Sequence, residues 1–319
     1  MEDQIFRICY ELYVRNPGNQ PIWNQLAALY QYPSGESIRS SFKRELVKRG
    51  FKNKTATSSN ARIELPRIVV ADIEMLPAIA YAFGRFDQNI SQSQIIEEGT
   101  FLSWAAKELN SDFAVADILT SDEAIERDPE RIVLSVWKYL SDAEIVIGHN
   151  WKNFDGKILN TMFLKYGLMP LNYLTIDTLE IARANFRFPS NKLANINIYL
   201  GIRNKIENEG FPLWDRCSKG DAEALAEMAD YNVGDTYATE ELYYKLRPFV
   251  KKHPNLALFN TMETEQCPNC GSDNLKVEGL YPPVGSGRYE SIRCLNCGAL
   301  SRGKHNLLTK NKRSKILSK

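Results

Sequence analysis

The stretch Arg67-Ile68-Val69-Val70-Ala71-Asp72-Ile73-Glu74-Met75 constrains this chain most. Its apolar run, rich in β-branched side chains, predicts a buried central strand. Side chains alternate between the two faces of a strand, so Asp72 and Glu74 project together from one side. Two carboxylates side by side on a core strand repel each other, and burying them unpaired costs roughly several kcal/mol per ion. A hard cation removes that conflict. Emergence of the strand into water at Asp72 removes it equally well, and this stretch alone leaves both readings open.

At 319 residues and 44% hydrophobic content, the chain has room for two or three domains and at least one substantial core. No run of about eighteen apolar residues occurs, and Met1-Glu2-Asp3-Gln4 lacks the basic start of a targeting peptide. The expectation is a soluble, cytoplasmic protein with no membrane contact, working as a monomer. Of the six cysteines, four form two Cys-x-x-Cys pairs near the end, whereas Cys9 and Cys217 stand alone. Such spacing fits a metal site in a reducing compartment better than a disulfide framework.

The net charge of +1 conceals a division along the sequence. Residues 1–66 hold ten Lys/Arg against six Asp/Glu, residues 266–319 ten against three, and the middle 67–265 twenty against thirty. An acidic middle repels a polyanion unless cations sit at its site and basic attachments hold the substrate. Solvated charge runs give the same division.

Residues 2–51 read as three short helices, separated by Pro17-Gly18 and Pro33-Ser34-Gly35. The third carries Arg39, Lys43, Arg44, Lys48 and Arg49 beside an apolar stripe of Ile38, Phe42, Leu46 and Val47. A helix that enters a major groove needs such a face, so Arg39, Lys43 and Arg44 are candidate nucleic-acid contacts in a helix-turn-helix-like module over 1–51. A small protein-binding bundle has the same pattern. Residues 52–65 are polar at first and lack periodicity, as a linker does.

After the opening strand, Ile79 to Phe86, Gln94 to Glu97 and Phe101 to Ala106 read as strands of a meander. A helix is predicted from about Asp122 to Leu140, then a second buried strand, Glu144 to Gly148. Where that strand ends stands His149-Asn150-Trp151-Lys152-Asn153-Phe154-Asp155, at the start of another helix. Loops at strand ends are common places for sites. Asp155 also suits a helix N-terminus for purely electrostatic reasons. Leu193, Ile196 and Leu200 give a short helix ending at Gly201, and a strong helix runs from Asp221 to Leu246. On it, Tyr231 and Asp235 lie four apart and share a face. Meander strands followed by alternating strands and helices predict an α/β fold with a mixed sheet flanked by helices.

Asp72-Ile73-Glu74 on a strand, Asn150 to Phe154-Asp155 after a later strand, and Tyr231-Asn232-Val233-Gly234-Asp235 on a late helix resemble, in that order, the three motifs of the DEDD exonucleases. The tyrosine four before the last acid is that of the DEDDy branch, which includes proofreading domains of DNA polymerases. The resemblance covers roughly residues 66–250, within an exonuclease-like domain expected over 66–252, and is nearest to stand-alone exonuclease domains related to those of family B polymerases. It implies an RNase H-like fold and a two-metal 3′→5′ exonuclease, with DNA favoured over RNA. Asp72, Glu74, Asp155 and Asp235 would hold two Mg²⁺ or Mn²⁺ ions about 3.5–4 Å apart. Tyr231 would orient the attacking water; a phenol titrating near about 10 is a poor general base. Asn150 and Phe154 are supporting substrate contacts, and His149, with Tyr231 in its place, is not the histidine of the DEDDh branch.

Cys267-Pro268-Asn269-Cys270-Gly271 and Cys294-Leu295-Asn296-Cys297-Gly298 form two matching knuckles. Four thiolates so spaced can close a tetrahedral site, so a structural zinc ribbon is expected over 263–303, with its hairpin tip at Pro282 to Gly287 and no catalysis by its ion. The tail 304–319 holds only basic charges and is expected either to touch phosphate or to stay solvated. No polymerase module fits in the remaining length, so proofreading would need a separate polymerase or another replication or repair protein as partner. Two other readings stay open: an adaptor or regulator that binds nucleic acid without chemistry, and a structure-specific endonuclease.

Overall fold

The computed structural model describes Ala27 and residues 32–48, 66–84, 86–202 and 209–317. The first two helices expected near the N-terminus and the linker 52–65 lie outside these residues. The chain divides into two compact units, Met1–Asn60 and Ala61–Lys319.

In the first unit, helix α1 (Gly35–Lys48) is the third of the expected helices. Ser34 opens it, its hydroxyl accepting from the Ser37 N–H at 3.2 Å. Ile38 and Phe42, one turn apart and the first two residues of the expected stripe, are fully buried; the side chains of Leu46 and Val47 lie outside the described residues.

The second unit is built on a five-stranded sheet. Its strands are β1 (Ile68–Leu76), β4 (Thr100–Glu108), β5 (Ala114–Ile118), β6 (Ile145–Gly148) and β7 (Leu174–Asp177), in the order β5-β4-β1-β6-β7. β1 runs antiparallel to β4 and parallel to β6, and β6 runs parallel to β7. This is the mixed sheet expected from the order of elements. Helices α2 (Ser121–Glu126), α3 (Glu130–Leu140), α4 (Asp155–Lys165), α5 (Thr178–Asn185), α6 (Leu193–Leu200), α7 (Phe211–Ser218) and α8 (Ala222–Leu246) flank it.

Alternation along β1 divides the core in two. Val69, Ala71 and Ile73 face Val133, Val136, Leu159 and Phe163, whereas Ile68 and Val70 face Ile196, Ala238 and Leu242. Asp72 and Glu74 continue the second row, on the side where α8 packs.

Two expectations change. Ile79 to Phe86 is not a long strand of the main sheet: β2 (Ile79–Ala80) pairs only with β3 (Ile95–Glu97), in a separate two-stranded hairpin. β4 pairs with β1 as far as Leu76 and β6 takes the start of its other edge, and the hairpin stands as an insert between β1 and β4. The single helix expected over Asp122 to Leu140 is α2 and α3. Arg127 turns left-handed at φ +55° and Pro129, which has no N–H to donate, restarts the helix.

At the far end, β8 (Leu275–Leu280), β9 (Glu290–Cys294) and β10 (Leu300–Arg302) form a three-stranded sheet ordered β10-β9-β8, with a Val284–Gly287 bridge at the hairpin tip. A short helix, α9 (Lys310–Arg313), follows in the basic tail. No helix among the described residues is long and apolar enough to cross a membrane.

A candidate metal-dependent site and a four-cysteine centre

Carboxylate oxygens of Asp72, Glu74 and Asp235 lie within 4.8 Å of one another. Register explains the first two. Asp72 stands opposite Ala105 and Glu74 opposite Ser103, so the neighbouring strand offers small side chains where the acids project. Asp235 arrives from α8, which starts at Asp221, whose carboxylate accepts from the N–H groups of Glu223 and Ala224.

Two ties fix α8 across the sheet. Asn232, fully buried, donates to the Ser103 hydroxyl at 2.9 Å. Lys107, buried on β4, pairs with Glu240, whose other oxygen accepts from the Asn110 N–H at 2.8 Å. Asp235 itself is 2% exposed. Like charges at such separations repel by about 3–4 kcal/mol per pair at an effective dielectric of about 20. Three hard oxygen donors converging this closely fit a divalent cation of the Mg²⁺ or Mn²⁺ type.

Tyr231 lies one turn before Asp235 and is 7% exposed, its ring meeting Trp214 edge-on at 6.0 Å. Asp155 is placed differently. The parallel ladder between β1 and β6 ends at Val70–Ile147, and β1 continues past it. Asp155 Oδ1 accepts from the edge that β6 leaves unpaired there, the buried backbone N–H of Ile73, at 3.3 Å. It therefore adjoins the strand between the two acids but is not one of the three clustered carboxylates. Burial pushes the Asp155 carboxyl up to about 7, and the nearby Asp177 carboxylate pushes in the same direction.

Asp177 organises the 149–155 loop. Buried at the end of β7, it accepts from the N–H groups of Asn150 and Lys152 at 3.1 and 3.0 Å and caps α5. An acid just before an apolar helical stretch was the signal for it. Asn150 adopts φ +69°, a conformation that asparagine tolerates. Gly148 ends β6 because Trp151 folds back over it, and a Cβ there would meet the indole at 2.7 Å. His149 is engaged at both ring nitrogens, by the Thr178 hydroxyl and the Asn191 carbonyl. Phe154 is 47% exposed beside Asp155. Of the other candidate contacts, on α1, Arg39 is partly buried and Arg44 exposed; the Lys43 side chain lies outside the described residues.

The four cysteines converge as well, with Sγ atoms within 4.8 Å and the pairs Cys267–Cys297 and Cys270–Cys294 at 3.6 Å. No disulfide joins them. A tetrahedron with arms of about 2.3 Å has edges of about 3.8 Å, so the cluster is compatible with zinc. The two knuckles repeat each other. Gly271 and Gly298, at φ +72° and +79°, donate to the Cys267 and Cys294 carbonyls at 2.8 and 2.9 Å. Asn269, nearly buried, donates to the carbonyls of Arg247 and Val250, so the first knuckle closes the end of α8.

Residues 100–247, somewhat under half of the chain, match the family model described as RNase_H superfamily, and the mixed sheet flanked by helices is consistent with an RNase H-like fold. The match includes Asp155, Tyr231 and Asp235 but begins after Asp72 and Glu74. Among relatives, a stretch of 106 residues is 31% identical to the PolC-type DNA polymerase III of Ureaplasma parvum, covering 33% of this chain and 7% of that protein. A stretch of 146 residues is 32% identical to the PolC-type DNA polymerase III of Listeria welshimeri, covering 41% and 10%. The chain thus spans a tenth or less of these relatives. The family B DNA polymerase of the archaeon Pyrobaculum calidifontis aligns over 64% of this chain and 26% of its own, at 14% identity and a TM-score of 0.44.

Proposed function

We propose that this protein is a metal-dependent 3′→5′ exonuclease of the DEDDy type, acting on nucleic acid with DNA ahead of RNA. The carrying observation is the convergence of Asp72, Glu74 and Asp235 from β1 and α8. A pair of Mg²⁺ or Mn²⁺ ions, when bound, would supply Lewis-acid charge for phosphodiester hydrolysis. Asp72, Glu74 and Asp235 hold that charge in place. Asp155, bonded to the Ile73 N–H, positions the strand that carries the first two and adds its own carboxylate to the ion-holding set. The Tyr231 hydroxyl, one helical turn from Asp235, orients the water that attacks. Asn150 and Phe154, at the mouth of the 149–155 loop, contact the strand being shortened.

Cys267, Cys270, Cys294 and Cys297 hold one structural Zn²⁺. The ribbon, the basic tail and the helix with Arg39, Lys43 and Arg44 supply the positive charge that an acidic centre lacks, and a separate polymerase is the natural partner. The deciding experiment offers 5′-labelled DNA and RNA strands with Mg²⁺ or Mn²⁺. Stepwise shortening from the 3′ end by the wild type, and none by Asp235→Asn, is the expected result. Binding without metal-dependent cleavage, or internal cuts in a circular strand, would overturn it.

A further inference from the structure

The insert between β1 and β4 leaves the end of β1 directly after the two acids. Its first residues, Ile79-Ala80-Tyr81-Ala82-Phe83-Gly84, alternate large apolar with small side chains, the pattern of a strand with one bulky face. That face covers no core. Tyr81 and Phe83 on it are 74% and 98% exposed, and Phe86, just beyond the alternating stretch, is 83% exposed.

The insert is nonetheless held in shape. The Tyr81 N–H donates to the Gln94 carbonyl at 2.9 Å, and Gln94 Nε2 donates back to the Tyr81 carbonyl at 3.0 Å. Ser91 and Gln94 close a capping box at the short turn of helix before β3. At its base, Arg127 Nη2 donates to the carbonyls of Pro77 and Glu98 at 2.6 and 2.8 Å, anchoring both legs.

Its charge sets it apart from the rest of the domain. Residues 77–96 carry one basic and one acidic group, Arg85 and Asp87, within a segment 67–265 that has ten more acids than bases. The remaining polar residues are mostly amides and hydroxyls, such as Gln88, Asn89 and Gln92. Rings with uncharged hydrogen-bonding groups match the faces and edges of nucleobases and not the phosphate backbone.

We propose that this insert is a stacking platform for the unpaired bases of a single-stranded 3′ end, which Tyr81, Phe83 and Phe86 grip as it enters the site of Asp72, Glu74 and Asp235. This deepens the exonuclease reading and rests on it for direction. The substrate class is single-stranded nucleic acid, because paired bases have no free faces for the rings.

The test uses the full zinc-loaded chain without added divalent ion. Fluorescence anisotropy would follow binding of 5′-labelled dT12, rU12 and a blunt DNA duplex by the wild type and by Y81L/F83L/F86L, which keeps apolar bulk but removes the π-faces. Each ring is expected to contribute about five- to hundredfold in single-strand affinity, so the triple variant should lose at least tenfold, with melting temperature and zinc content unchanged and the wild type preferring single strand to duplex. Comparable loss on dT12 and rU12 points to base faces; loss on one alone identifies the sugar the platform accepts. Unchanged single-strand affinity would overturn the platform and leave the rings to a protein partner. Wild-type cleavage with Mn²⁺ is scored separately: no cleavage with ring-dependent binding sinks the exonuclease reading only, and cleavage with ring-independent binding sinks the platform only.

Discussion

Asp155 on α4 accepts a hydrogen bond at 3.3 Å from the backbone N–H of Ile73, the residue between Asp72 and Glu74. The acid thereby fixes the strand edge that presents two of the three clustered carboxylates. Asp155→Asn keeps an acceptor for that N–H and should change stability by less than about 1 kcal/mol, whereas Asp155→Ala leaves a buried donor unsatisfied at about 1–3 kcal/mol. Both should lower metal-dependent cleavage by about a hundredfold or more. Urea denaturation beside a 3′-shortening assay checks the pair, and full activity in Asp155→Ala would remove the acid from the site.

Tyr231→Phe tests the water-orienting role. The ring contact to Trp214 is retained and only the hydroxyl is lost. Cleavage should fall about ten- to hundredfold with melting temperature and Mn²⁺ affinity unchanged. Equal turnover in the two proteins would reduce Tyr231 to packing.

The Lys107–Glu240 pair is a tie between β4 and α8, buried at the lysine. Glu240→Leu alone leaves a buried ammonium unpaired and should cost about 3–5 kcal/mol. Replacing both, by Lys107→Met with Glu240→Leu, should recover most of that loss. Additive losses in a double-mutant cycle by chemical denaturation would contradict the pairing.

Glu123 on α2 accepts from Arg131 Nε and Nη2 at 2.8 and 2.9 Å, and this fork holds its carboxyl down at about 2, with the Thr120 N–H adding to the effect. A carboxyl depressed in the folded state stabilises it above the unfolded value near 4.5 and loses that contribution as pH falls through about 2. Because the Arg131 side chain is 45% exposed, solvent screening limits the gain to about 1 kcal/mol. Glu123→Gln, which keeps the helix cap, should melt below the wild type at pH 6 and together with it at pH 2. A gap that persists in acid would exclude the ion pair as its source.

Cys267→Ser should abolish the one equivalent of zinc expected from the four sulfurs. The ribbon strands should then lose protection in hydrogen exchange, while β1 and β6 keep theirs. Retention of zinc, or global unfolding, would each contradict the assignment of a local structural ion.

The strongest elements were legible because each is long, periodic or chemically singular: β1 by its apolar run into two acids, α8 by its stripe and cap, the knuckles by four cysteines with trailing glycines. The convergence of Asp235 on β1 followed from the order of motifs rather than from any pattern within α8. Less was legible where tertiary neighbours decide. β5 and β7 are short and partly exposed, and the helix at Phe211–Ser218 opens with Pro212, which reads equally as a turn. Residues Tyr81 to Gly84 have a strand's alternation but belong to no strand of the main sheet. Asp155 was expected among the ion-holding carboxylates, and its bond to the Ile73 main-chain N–H is a contact that no sequence motif displays.

The amide of Asn269 leaves α8 tethered at both extremities, by its own Asp221 and by a loop that depends on four thiolates. From Leu246 back to Asp235 is roughly 17 Å of helix, so unravelling at the far tip dies out before it reaches the acids. On the proposed reading, losing a bound zinc ion would loosen that far tip while the clustered acids of β1 and α8 keep their places.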